Sequence, residues 1–208
     1  ENMEQWFPKD KIVLTGNPLR NNIVPMDDRR EEGVKFFGLD PERKTILLVG
    51  GSQGALGINR GISAQLASFK ENDYQMIWQT GKPYYEKALK EVEENGLQDR
   101  IKCTVFIDRM DLAYAAADIV ISRSGASSIS ELCAAHKAAI FVPSPNVAED
   151  HQTHNAMALV KKGAAVMVKD SDAVAKLMST ACDLLRNTDK TALMERNIAA
   201  LAKMDAGL

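Results

Sequence analysis

The chain has 208 residues, 45% of them hydrophobic, with 26 basic against 28 acidic side chains. That is enough apolar material for a substantial core in one domain, while the near cancellation of charge argues against a nucleic-acid partner. Three widely spaced cysteines, Cys103, Cys133 and Cys182, do not make a disulfide framework or a metal knuckle, and no apolar run approaches the roughly eighteen residues of a membrane span.

The first residues, Glu1 to Pro8, hold no positive segment leading into an apolar one, so a soluble, cytoplasmic chain is expected. The lack of an initiator methionine suggests a chain cut from a longer one. Lys11 to Thr15 is a short apolar run that stops at the turn signal Gly16-Asn17-Pro18. Met26 to Phe37 suits a helix with acidic residues at its start and Gly38 at its exit. Thr45 to Val49 is a continuous apolar run with β-branched members, the pattern of a strand covered on both faces.

The alternation then repeats. Ala55 to Phe69 reads as helix, Tyr74 to Gln79 as strand, and Pro83 to Glu94 as helix with proline in its first turn. Ile101 to Val105 is strand, Met110 to Ala116 a short helix, Asp118 to Ser122 strand, and Gly125 opens a helix that runs through Ala135. Ala138 to Val142 is strand, Asp150 to Lys161 helix, and Ala164 to Val168 the last strand. Two helices close the chain, at Ser171 to Leu185 and Lys190 to Met204, separated by Arg186 to Asp189. Spacing of this kind predicts βαβ units, hence an α/β fold with a mostly parallel sheet and helices on both faces. Trp78 is expected in the core, and Trp6 with Phe7 over an interdomain seam.

Two glycine turns carry the chemistry. Gly50-Gly51-Ser52-Gln53-Gly54 lacks the second glycine of a dinucleotide fingerprint and the Lys-Ser/Thr pair of a Walker loop. Ser52 and Gln53 at its tip read either as ligand-facing groups or as part of a tight strand-to-helix turn. The second turn places Arg123, Ser124, Gly125, Ser127, Ser128 and Glu131 within nine residues at the start of a helix. Unpaired N–H groups and the helix dipole there suit an anion, and Glu131 suits sugar hydroxyls or, equally, the helix dipole alone. Arg123 reads as a phosphate partner or as a strand-end salt bridge.

The loop Pro143 to Asn155 is stiffened by Pro143 and Pro145 and presents Asn146, Glu149, Asp150, His151 and Gln152. His151 and His154 have the spacing to share a metal, yet no zinc signature surrounds them, and a surface or capping role is favoured. Ile107, in Phe106-Ile-Asp-Arg-Met110, reads as a base-flanking residue or as a loop anchor. No Gly-x-Ser-x-Gly elbow is present.

Taken together and in order, Leu14-Thr-Gly-Asn-Pro-Leu-Arg20, Val49-Gly-Gly-Ser-Gln-Gly-Ala55, Phe106-Ile-Asp-Arg-Met110, Ala113-Tyr-Ala-Ala-Ala-Asp118, Ser122-Arg-Ser-Gly-Ala126 and Phe141-Val-Pro-Ser-Pro-Asn-Val-Ala-Glu-Asp-His-Gln152 closely resemble the carboxyl-terminal half of the MurG family, glycosyltransferase family 28. The resemblance implies the carboxyl-terminal, Rossmann-like domain of an inverting GT-B enzyme with no cofactor and no metal. The implied reaction moves N-acetylglucosamine from UDP-N-acetylglucosamine to the muramoyl-pentapeptide of lipid I. Lipid I would be received by an amino-terminal domain outside this chain, at the cytoplasmic face of the membrane. By resemblance, Ile107 offers backbone hydrogen bonds to uracil and Glu131 holds the ribose. Ser52, Arg123, Gly125 and Ala126 cradle the diphosphate, with the Ser128 hydroxyl beside them, and Arg20 lies near the hinge. Gln152 orients the sugar next to His151 and Asn155.

Residues 1–19 would then end the amino-terminal domain, 20–187 form the donor domain, and the helix in 188–208 cross back to that other domain. The catalytic base is expected outside this chain, which alone should transfer nothing. His136-Lys137-Ala138 departs from the Gly-x-Pro usual in the family. Two other readings remain: a UDP-galactose:diacylglycerol galactosyltransferase donor domain, and a noncatalytic nucleotide-binding module.

Overall fold

The computed structural model describes residues 8, 23, 27–51, 53–145 and 150–202; the expectations for Lys11 to Thr15, for Trp6 with Phe7, for Arg20, Ser52, Asn146 and Glu149 lie outside them. Six parallel strands form one sheet among the described residues: β1 (Thr45–Val49), β2 (Gln75–Gln79), β3 (Ile101–Thr104), β4 (Ile119–Ser122), β5 (Ala139–Phe141) and β6 (Ala165–Met167), in the order β3-β2-β1-β4-β5-β6. The predicted α/β class and each of these strands are present.

Period-two alternation splits the core in two. Ile46 and Leu48 point to one face, where they join Trp78, Ile119, Ile121 and Ile140. Leu47, between them, joins Ile77, Val120, Ala139 and Phe141 on the other. Every one of these side chains is at most 0% exposed, as expected of central parallel strands covered on both sides.

The first face is roofed by α2 (Leu56–Ser63), α3 (Ser68–Glu71), α4 (Tyr85–Glu94) and α8 (Ala173–Arg186), through Ile58, Ile62, Phe69, Ala88, Val92, Leu177 and Ala181. The second is covered by α1 (Arg30–Phe36), α5 (Met110–Ala116), α6 (Ala126–Ala134) and α7 (His151–Val160), through Val34, Ala113, Leu132 and Leu159. The final helix, α9 (Thr188–Ala199), buries Met194 and Ile198, and packs on α8 and α6.

Besides shifts of a few residues at element ends, the helices depart from the sequence expectation at two junctions. The helix predicted over Ala55 to Phe69 is broken between α2 and α3, where turn bonds from the Gln65 N–H to the Ile62 carbonyl at 2.9 Å and from the Ser68 N–H to the Gln65 carbonyl at 3.0 Å replace the helical ladder. The last two helices are separated by Asn187 alone rather than by four residues, because its side chain accepts the Lys190 N–H at 3.0 Å and starts α9 at once.

Candidate functional site

In this strand order the chain leaves β1 toward the first face and β4 toward the second. Two neighbouring parallel strands whose connections diverge leave a crevice at their carboxyl ends, the usual ligand position of an open α/β sheet. Both glycine turns open into it. Gly51 and Gly54 have φ of +83° and +75°, a region that glycine enters without strain. At Gly54 a side chain is also excluded by space, since a Cβ would lie 2.2 Å from the Thr80 carbonyl oxygen. Thr80 is itself fixed: its carbonyl accepts from Asn59 Nδ2 at 2.8 Å, and Asn59 Oδ1 accepts from Trp78 Nε1 at 2.9 Å. The first turn is thereby pinned to a buried polar chain that ends in the expected core tryptophan.

A cavity of about 450 Å³ lies in the crevice, with Gly50, Gly54, Arg60, Arg123, Gln152 and Asp170 among its lining residues. After β4, beyond Arg123, Gly125 is extended (φ −64°, ψ 150°) and opens α6. A Cβ on Gly125 would meet nothing within 4 Å, so its bareness leaves open space before the helix end. Ala126 and Ser127 are exposed and Ser128 half-buried there.

Buried Ser124 ties this turn to the start of α7. Its hydroxyl donates to the Gln152 carbonyl at 2.8 Å, and its own carbonyl accepts from Asn155 Nδ2 at 3.2 Å. Gln152 Oε1 in turn accepts the Ser144 N–H at 2.9 Å. The starts of α6 and α7 and the loop after β5 are therefore one hydrogen-bonded unit.

Arg123 lines the cavity with its guanidinium held in place. Nη1 donates to the Val142 and Pro143 carbonyls at 2.9 and 3.0 Å and lies 2.6 Å from Asp170 Oδ1. Glu131 is half-buried, with Oε2 accepting from the Tyr114 hydroxyl at 3.2 Å. Ile107 is 2% exposed and belongs to the second core, so its side chain anchors the loop while the neighbouring Phe106, 47% exposed, stands in solvent. His151 and His154 are both exposed on α7, and among the described residues no group of three metal-ligating side chains is found.

Arg60, Ser144 and Asp170 line the cavity and were missed in the sequence. Asp170 had a signal, since it follows the last strand on the sheet's carboxyl side; Arg60 had only its place one turn beyond Gly57. Away from the site, Asp111 is clamped by Arg109, whose Nε and Nη2 reach its two oxygens at 2.9 and 2.7 Å, and by Arg29 at 3.1 Å. Hydrogen bonding from Arg109 foremost holds its carboxyl down to about 2. Burial pushes the Cys103 and Cys133 thiols up to about 12 and about 11, and all three cysteines are free.

A family model described as glycosyltransferase family 28 C-terminal domain matches residues 45–206. The chain is 53% identical over 204 residues to the UDP-N-acetylglucosamine--N-acetylmuramyl-(pentapeptide) pyrophosphoryl-undecaprenol N-acetylglucosamine transferase of Parabacteroides distasonis, covering 98% of this chain and 55% of that protein. It is 51% identical over 207 residues to the protein of the same name from Bacteroides thetaiotaomicron, covering 99% and 56%. A crystal structure of Acinetobacter baumannii MurG superposes with a TM-score of 0.70 at 26% identity, covering 95% of this chain and 55% of that one. The chain thus spans about half the length of the curated relatives it matches.

Proposed function

The chain belongs to the glycosyltransferase family 28 C-terminal domain family, and from that premise we propose that it is the donor-binding half of an N-acetylglucosaminyltransferase. Its donor is UDP-N-acetylglucosamine, and the acceptor is lipid I, received by a further domain at the cytoplasmic face of the membrane. The observation that carries this reading is that the first glycine turn, after β1, and Arg123, which leads into the second turn after β4, line one cavity at the carboxyl edge of the sheet. No helix among the described residues is long and apolar enough to cross a membrane.

In this reading the diphosphate lies against the α6 end, at Gly125, Ala126 and Ser128, with Arg123 and Ser52 beside it and Arg20 near the hinge. Uracil meets the backbone at Ile107, Glu131 accepts from the ribose hydroxyls, and Gln152 and His151 face the sugar. As the glycosidic bond breaks, negative charge grows on the departing UDP. A helix end whose N–H groups are already oriented stabilises that charge more than it stabilises the ground state, which is what accelerates the transfer.

Calorimetric titration with UDP-N-acetylglucosamine, beside UDP-galactose, UDP and NAD and with an EDTA-treated arm, tests the reading. Selective binding of the first ligand, unchanged by EDTA, is expected. Preference for UDP-galactose or NAD would overturn the donor assignment.

A further inference from the structure

The charges around the donor cavity are unequally matched. Arg123 and Asp170, side chains 16% and 22% exposed, face each other at 2.6 Å, so the carboxylate answers the charge of the arginine that the sequence nominates for phosphate. Asp170 Oδ1 has no hydrogen-bond partner of acceptable geometry; the pair is one of close opposite charges, not of a well-aligned hydrogen bond. Gly57 permits this approach, since a Cβ there would come within 2.3 Å of the same oxygen.

Arg60 lies one turn further along α2 and lines the same cavity. It is exposed and makes no ion pair with any described carboxylate. Among the described lining residues the charged side chains are Arg60, Arg123 and Asp170, and the uncompensated positive charge is that of Arg60. Arg123 already faces the Asp170 carboxylate, so it offers a phosphate less net positive charge than Arg60 does.

We propose that Arg60 is a phosphate-binding residue of this cavity, contacting the diphosphate of the nucleotide donor. The proposal rests on the reading of the cavity as a UDP-sugar site and adds a cation from α2 to the helix end of α6. A guanidinium presents a planar fork suited to phosphate oxygens, and on an exposed helix position it can swing onto the ligand without disturbing the core.

The test is calorimetric titration of this chain, wild type, Arg60→Ala and Arg60→Lys, with UDP and with uridine, which lacks the phosphates. Loss of one charge-assisted hydrogen bond predicts that Arg60→Ala weakens UDP binding by roughly tenfold while uridine binding stays within about twofold. Arg60→Lys, which keeps the charge but not the fork, is expected to fall between wild type and Arg60→Ala. UDP affinity in Arg60→Ala within about threefold of wild type, or equal losses for UDP and uridine, would overturn the proposal while leaving the donor reading intact. A folded wild-type chain that binds neither ligand would overturn both.

Discussion

Glu131 and Gln152 are the residues on which the donor assignment can be tested singly. Glu131 lies in the second turn of α6 with Oε2 on the Tyr114 hydroxyl, a bond that orients the carboxylate before any ligand arrives. Glu131→Ala should weaken UDP binding by about 1–3 kcal/mol, the cost of losing a hydrogen bond to a charged group, and lower the thermal midpoint modestly because the buried Tyr114 hydroxyl loses this acceptor; calorimetry and a thermal melt read the two quantities. Gln152 is different because its Oε1 already accepts the Ser144 N–H at 2.9 Å. Gln152→Ala should reduce the preference for UDP-N-acetylglucosamine over bare UDP. Equal losses for both ligands in competition titrations would mean that the side chain serves the loop after β5 and not the sugar.

At the scale of elements, the site depends on connections that only particular backbones can make. Gly54→Ala would force a Cβ to 2.2 Å from a carbonyl oxygen at a φ of +75°. We expect a loss of about 2 kcal/mol or more, read as a lowered denaturant midpoint. The exit of α6 shows the opposite situation. His136 occupies a left-handed conformation, φ +54°, with its N–H donating to the Cys133 carbonyl at 3.3 Å and the Lys137 N–H to the Leu132 carbonyl at 3.2 Å. Such helix exits favour glycine, so the departure from Gly-x-Pro at this point is one of backbone strain, remote from the cavity lining. His136→Gly should raise stability by about 0.5–1 kcal/mol without altering UDP affinity.

For the molecule as a whole, acid sensitivity should trace to Asp111, which joins α5 to the segment before α1 through Arg109 and Arg29. Its folded value, about 2, lies below the ordinary 3.8, so its contribution is fully present above pH 4 and is lost as pH falls through about 2. Arg109 is 42% exposed, and solvent screening reduces the contribution to about 1–2 kcal/mol. Asp111→Asn should therefore lower stability at pH 7 and converge with wild type near pH 2, as denaturant titrations at several pH values would reveal. The strands and the parallel class were legible in the sequence because buried central strands are written as short apolar runs, such as Thr45 to Val49, whatever surrounds them. The first glycine turn was legible because positive φ at Gly51 and Gly54, and close approach at Gly54, select glycine locally, whereas Gly125 meets neither condition. The break after α2 was not legible, because Ala64-Gln-Leu-Ala67 are good helix formers with no glycine or proline among them. Nor was the pairing of Arg123 with Asp170, side chains 47 positions apart, or the arrival of Arg60 in the same cavity. Composition and periodicity, which act along the chain, determined the layers and the order of the elements. Which charges meet was decided by the tertiary structure, because strand order brings the ends of β4 and β6 and the side of α2 to one crevice, and Coulomb interactions depend on that distance and not on separation in sequence.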